Sequence, residues 1–517
     1  MKAAFCSSEL KSSHAPSDCG QSPVGRQAWD GSARCVSSGK KASRPARRRL
    51  FQFAKFAVLA SLSAWAAPSA STPGESNWPQ WRGPLQNGVA PHGNPPTEWS
   101  ETQNMKWKVK IPGIGHSTPI IWGDKVFVLS AIPTGRKPEG AAAPAAANSA
   151  QTAAGAVQPA EPGQGQGRGG RGAGRGGGMG GPPPTEIYQW VVFCLDRNSG
   201  KILWQKTAHE EVPHEGHHPT NTYASYSPVT DGERLYVSFG SWGVYCFDLD
   251  GNPKWDLNLG KMHNQMGFGE GGSPVLHGGK LIINWDHAGE DFITALDVKT
   301  GKTLWKTDRN EAPTWTTPLV VPTDKGAQIV VPATGKTRSY DSATGKLIWE
   351  CAGQTANVIP SAVTGHGFVY AISGFRGHSL QAIRYDRTGD LTGSDAVAWS
   401  ITQSTPYVPS PLLFDDLLYF YADNRARLSC YDAKTGKALI DAQDLEGLGE
   451  IYASPVGAAG RVYLTGRNGS VLVIKKGPQL EKLAMNKLED RMDASPAIVG
   501  NQLFLRGREY LYCLAQN

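Results

Sequence analysis

The stretches FCLDRNSGKILW (193–204), TALDVKTGKTLW (294–305) and RSYDSATGKLIW (338–349) decide the fold. Each runs an apolar strand into an Asp, turns on Ser/Thr-Gly-Lys, and re-enters an extended segment whose third residue is Trp. The Asp carboxylate can accept the backbone N–H groups of such a turn, and the Gly supplies the left-handed φ that closes it. A second signal recurs ahead of each unit. Ser/Thr-Pro opens an apolar strand at Thr118, Ser227, Ser273, Thr317, Ser410, Ser454 and Ser495, with Ser361-Ala362 in the same place. From Ser227 onward the openings are 46, 44, 44, 49, 44 and 41 residues apart. A turn and a second strand follow each one, as in ERLYVSFG (233–240), GKLIINW (279–285) and GRVYLTG (460–466). Four short strands per repeat of this length make one propeller blade.

Eight openings predict an all-β, eight-bladed β-propeller of four-stranded antiparallel blades over residues 78–517. The last repeat ends after its third strand, YLYCLA (510–515), while MKWKV (105–109) stands ahead of the first opening. Pairing this N-terminal strand with the C-terminal blade closes the ring and removes an exposed sheet edge. Trp107, Trp204, Trp255, Trp305, Trp349 and Trp399 are expected to dock structurally between blades, with Ile440 and Leu483 replacing Trp in blades six and seven.

Composition agrees with this reading. The 517 residues include 61 Gly, 36 Pro and 16 Trp with only 19% charged, which suits short strands and tight turns rather than helical bundles. The net charge of +7 is local, because residues 1–50 hold ten Lys/Arg against three Asp/Glu and the remainder carries 42 of each sign. A neutral folded part removes the charge support for nucleic acid as a partner. Arg47, Arg48 and Arg49 precede the apolar run FAVLASLSAWAA (56–67), which contains a small-residue cleavage pattern at Ala64-Trp65-Ala66. Residues 1–66 therefore read as a leader with a secretory signal peptide and 67–77 as a short linker. RRLF (48–51) also fits the core of a twin-arginine signal, so the export route stays open. The mature chain is expected to be a periplasmic or secreted monomer without an integral membrane segment.

Residues 137–184, rich in Ala, Gly, Pro, Gln and Arg, interrupt blade one between its second and third strands and read as a disordered loop. Three of the eight cysteines (Cys6, Cys19 and Cys35) lie in the leader. Cys194, Cys246, Cys430 and Cys513 share one register of the third strand, which Ala295 and Ser339 fill elsewhere. A position that takes Ala, Ser or Cys is small and buried, so free, packed thiols are expected.

The Asp…Thr-Gly-Lys…Trp repeat resembles the tryptophan-docking repeat of the pyrroloquinoline-quinone (PQQ) type propellers. That superfamily includes quinoprotein alcohol dehydrogenases and BamB-like propellers. WPQWRGPLQNG (78–88) and HHPTNTYASYSPVTDGERLYVSFGS (217–241) are similar to exported PQQ-like repeat proteins. For a dehydrogenase the resemblance implies PQQ, a Ca²⁺ held by carboxylate and amide oxygens, and an Asp acting as base. Asp286 or Asp493 would then be catalytic. Such enzymes often carry a vicinal Cys pair, and here no two cysteines are adjacent and no C-x-x-C-H haem motif exists.

Candidate ligand-binding residues lie just ahead of the strand openings, where eight repeats converge on the channel mouth. They are His116, His217, His218, Asn221, Tyr223, Glu270, Trp315, Asn357, Tyr452, Arg491 and Asp493, to which the resemblance adds Arg309. The run His209, His214, His217 and His218 tempts a metal reading, but Pro and Gly interrupt it and the fixed spacing of a zinc helix is missing. No metal ligand is assigned. GFGEGG (267–272) matches G-x-G-x-x-G, yet a strand follows it rather than a helix. Two functions remain: a non-catalytic binding or scaffold module for a protein, peptide or glycan, and a Ca²⁺/PQQ-dependent alcohol or sugar dehydrogenase.

Overall fold

The structure, a computed structural model, describes residues 74–139 and 180–516. The expected leader with its signal peptide, and most of the 137–184 stretch expected to be a disordered loop, lie outside the described residues. Eight sheets follow one another along the chain, six of them four-stranded antiparallel meanders from an inner to an outer strand. Blade one, for example, comprises Ile120–Trp122, Lys125–Pro133, Tyr188–Asp196 and Ile202–Glu211. The expected eight-bladed, all-β propeller is thus present, and among the described residues the only helical turns are Gly240–Trp242 and Gln265–Gly267. Met105–Lys110 pairs antiparallel with Tyr510–Ala515, setting Trp107 opposite Cys513, so the two ends of the chain share blade eight.

Packing explains the repeat. Alternate residues of each strand face neighbouring blades, so Phe127 and Leu129 of blade one share a core with Leu235, Val237 and Phe247 of blade two. The docking Trp reaches across the same seam. Trp255 Nε1 donates to Val298 O at 3.0 Å in the turn of the next blade, and Trp107, Trp204, Trp305 and Trp399 repeat this at 2.9, 3.1, 3.2 and 3.1 Å. The turn Gly offers a flat seat: a Cβ on Gly301 would lie 2.7 Å from the Trp255 ring.

Blade four departs from this pattern. Trp349 donates instead to Gln328 Oε1 of its own blade at 2.9 Å. The connection between the third and fourth strands of blade five is long, and it lays Gly389–Asp390 parallel against the outer strand Leu347–Ala352. Blade four therefore has five strands rather than the expected four.

The Ser/Thr at each opening has an equally specific task. The backbone N–H of Thr118 donates to Ser227 Oγ at 2.9 Å, that of Ser227 to Ser273 Oγ at 2.9 Å, and that of Ser273 to Thr317 Oγ1 at 2.9 Å. The relay continues through Ser361, Ser410 and Ser454 to Ser495 at 2.8–3.0 Å. Seven links thus run around the channel. A hydroxyl is needed to satisfy each buried N–H, and a following Pro brings no further donor to satisfy.

Residues 78–96 close one end of this channel. Trp78 bridges Ile121 in blade one, Pro79 O accepts from Thr230 in blade two, and Gln86 Oε1 accepts from Val320 in blade four. Arg82 donates to Pro411 O and Pro455 O, each at 2.7 Å, and Ala90 and Asn94 bond to Gly457 and Gly500. One segment thereby ties together the innermost strands of six blades. All five cysteines of the described residues are free and buried: four stand in the small, packed register of the third strand, and Cys351 in the outer strand of blade four.

Candidate functional site

With one end plugged, the channel opens at the other into a cavity of about 290 Å³. Its wall follows a single register. The residues two positions ahead of the eight openings are His116, Ser225, Gly271, Trp315, Ile359, Val408, Tyr452 and Asp493, and every one of them lines it. Trp81 of the plug forms the floor, and Phe268, Phe375 and Tyr407 extend the aromatic wall. Phe375 and Tyr407 stack with ring centroids 4.7 Å apart. Trp315 is held by its Nε1, which donates to Gly269 O at 2.7 Å, and stands edge-on to Phe268.

The polar side of the wall is already hydrogen-bonded. Asp493 accepts from Arg467 Nε at 2.5 Å and Arg491 Nε at 3.0 Å, with His116 Nε2 at 3.4 Å. Arg467 also pairs with Glu450 and lies over the Tyr452 ring at 3.9 Å. Burial pushes the His116 imidazole down to about 4; Asp493 opposes the fall, and Arg506, Arg467 and His217 add to it. Glu270 accepts from Ser241 N at 2.9 Å and Ser241 Oγ at 2.5 Å, with Tyr226 Oη at 3.4 Å. Burial raises its carboxyl to about 7, although the Ser241 bonds pull the other way.

Of the expected candidates, His116, His218, Asn221, Glu270, Trp315, Tyr452 and Asp493 meet in the main cavity. His217, Tyr223 and Arg491 line a side hollow that shares His116, Asn221 and Asp493 with it. Asn357 stands behind the wall, its side chain bonded to Tyr407. Asp286 and Arg309 line neither space. They form a fully buried pair in blade three, where Asp286 accepts from Arg309 Nε at 2.6 Å and Nη2 at 3.1 Å, Thr314 Oγ1 at 2.6 Å and Asn284 Nδ2 at 2.9 Å.

The four histidines are splayed. His209 pairs with Glu211, His214 with Met262 O, His217 with His218 O and His218 with Thr220 Oγ1. Among the described residues no group of three or more His, Cys, Asp or Glu side chains is placed to hold a metal ion. A calcium ion would ask for free carboxylate oxygens in the cavity. Glu270 and Asp493 are both engaged and Asp286 is sealed against Arg309, so the donor set does not fit the calcium ion that the quinoprotein reading requires.

Sequence reasoning missed Trp81, Phe268, Phe375, Tyr407 and Arg467. The register two residues ahead of each opening was a usable signal for the wall, but Phe375 and Tyr407 lie outside it.

A family model described as outer membrane protein assembly factor BamB matches residues 189–439 and 289–516. Among solved structures, the fold is similar to quinohemoprotein alcohol dehydrogenase from Comamonas testosteroni, with 11% identity, a TM-score of 0.52, and 85% of this chain and 80% of that one covered. Quinohemoprotein alcohol dehydrogenase ADHIIG from Pseudomonas putida HK5 gives 10% identity and a TM-score of 0.51, with 86% of this chain and 80% of that one covered. BamB from Moraxella catarrhalis gives 13% identity and a TM-score of 0.44 over 65% of this chain and 94% of that one. At these identities the likeness is one of fold. No curated protein matches the sequence. The repeats, their eight-fold closure and the match of the family model across blades one to eight place this chain in the PQQ-like repeat family of outer membrane protein assembly factor BamB.

Proposed function

We propose that this chain is an exported, non-catalytic binding propeller whose channel mouth takes a segment of a polypeptide partner. The observation that carries this is the one-ended cavity of about 290 Å³, floored by Trp81 and walled by Trp315, Phe375, Tyr407 and Tyr452. Aromatic faces with a few fixed polar groups suit the burial of a side chain or a short backbone stretch. Glu270 and Asp493 already accept hydrogen bonds from protein donors, so neither offers a free pair of oxygens to a cation. The family description, an assembly factor for proteins, favours a polypeptide over a glycan. Export is supported by the basic stretch and apolar run ahead of the propeller. No helix among the described residues is long and apolar enough to cross a membrane.

The test is a tryptophan-fluorescence titration with a panel of hexapeptides that carry apolar or aromatic side chains. Saturable quenching that Trp315→Ala abolishes, with the melting temperature kept, is the expected result. If no hexapeptide binds, or if the variant binds as well as the native chain, the reading fails.

A further inference from the structure

Beside the main cavity, blades eight and one and the connections into blades two and eight enclose a hollow of about 140 Å³ lined by His116, His217, Asn221, Arg491, Asp493 and Arg508, among others. Two arginines, Arg491 and Arg508, line it, and two more, Arg467 and Arg506, stand behind that lining and act on His116 through their charge. Arg467 and Arg491 share Asp493, and the exposed Arg508 lies on the rim. The fourth, Arg506, is only 1% exposed, and none of its three guanidinium nitrogens has a hydrogen-bond partner among the described residues. Arg467 Nη2 is buried and unpartnered in the same sense.

The nearby carboxylate of Asp490 favours the Arg506 charge but makes no hydrogen bond to it. Asp490 Oδ1 accepts from the backbone N–H of Arg491 at 2.8 Å and of Arg508 at 3.1 Å, and Oδ2 from that of Tyr510 at 3.0 Å and from Tyr512 Oη at 3.3 Å. Arg506 ends the strand Gln502–Arg506, on the same face as Phe504, which packs into the core shared with Ile121 and Val126 of blade one. His116 stands in that seam and feels the Arg506 charge. A buried guanidinium without an acceptor is costly, and the other deeply buried arginines each have acceptors: the Arg82 Nη atoms bond three carbonyls and Arg309 a carboxylate.

We infer that this hollow is a binding site for a carboxylate group, contacted by Arg491 and Arg508 at the rim and held by the charges of Arg506 and Arg467 behind them. A guanidinium fork matches the two coplanar oxygens of a carboxylate, and the hollow has room for that group and the stem that carries it. The site does not depend on a polypeptide in the main cavity, since Trp315 and the other aromatic walls take no part in it.

The test uses the purified protein and acetate as the probe, with chloride and phosphate compared at constant ionic strength. Acetate should raise the melting temperature saturably. It should also raise the His116 pKa, read from its ring protons by NMR, because a bound anion opposes the arginine field. Arg491→Gln should weaken the acetate response several-fold, and Arg506→Met should abolish it. Arg508→Gln, on the exposed rim, should weaken it too and keeps the test open if Arg506→Met does not fold. An equal response to chloride, a response to phosphate without one to acetate, or an unchanged acetate response in Arg491→Gln and Arg508→Gln would each overturn the assignment.

Discussion

The docking seam between blades three and four offers a sharp test of what the repeat is for. Trp305 is 9% exposed, its Nε1 donates to Ser342 O at 3.2 Å, and its ring covers Gly345 in the next turn. Trp305→Ala removes the ring and strands that carbonyl, at a cost of about 4 kcal/mol. Gly345→Ala attacks the same contact from the other side. Its φ is 73°, and the added Cβ would lie 2.5 Å from Trp305 Cε3 and 2.7 Å from Thr307 Oγ1. Left-handed strain of about 1 kcal/mol and overpacking of about 2 kcal/mol give roughly 3 kcal/mol in all. With Trp305 gone, most of the overpacking disappears and the strain remains. The double variant should therefore be less destabilised than the sum of the singles by about 1–2 kcal/mol. Gly389→Ala, where φ is 85° but no atom lies within 4 Å of the new Cβ, should show the strain alone. Urea unfolding followed by far-UV circular dichroism measures all four variants. Additivity within about 0.5 kcal/mol would mean the ring and the glycine are not coupled, and the docking account of the repeat would be wrong.

Three further outcomes are expected. Ser273→Ala orphans the buried Ser227 N–H and should cost about 1–3 kcal/mol in urea unfolding, whereas Ser273→Thr, which keeps the hydroxyl, should cost less. Glu270, raised from 4.5 to about 7, holds its proton more tightly folded than unfolded, so its contribution to stability is complete below pH 4.5 and is lost as pH rises to about 7. That loss is roughly 3 kcal/mol; His116, lowered to about 4, acts with the opposite sign between about 4 and 6.5, so the readout is the difference between Glu270→Gln and the native chain across that range. Cys194, Cys246, Cys430 and Cys513, pushed up to about 12 by burial, and Cys351, pushed up to about 11, should react with a disulfide reagent only on unfolding.

What was legible in the sequence was whatever repeats. Asp-turn-Gly-Trp and Ser/Thr-Pro recur because each blade solves the same two problems, seating a tryptophan and satisfying an inner N–H, and counting them yields eight blades and the closure at Trp107. Features belonging to one blade or segment were not legible. Nothing periodic marks Trp81 and Arg82 as the channel plug, because their partners at Pro411 and Pro455 are more than 300 residues away. The fifth strand of blade four comes from a connection in blade five, which no period predicts. Candidates chosen by register, such as His116, Trp315, Tyr452 and Asp493, converge in the cavity. Asp286 and Arg309 were added by resemblance and lie elsewhere, because the buried end of the strand Lys280–Trp285 leads Asp286 into the blade interior beside Arg309.

The central functional claim is that the mouth binds without quinone chemistry. Calorimetric titration of the purified protein with PQQ in the presence of Ca²⁺, followed by dye reduction with a panel of alcohols and sugars on the same sample, tests it most directly. A binding propeller whose carboxylates are engaged by Arg467, Arg491 and Ser241 predicts no saturable PQQ heat and no substrate-dependent dye reduction. Stoichiometric PQQ binding that disappears in Trp315→Ala, accompanied by alcohol-dependent reduction in the native chain, would contradict it.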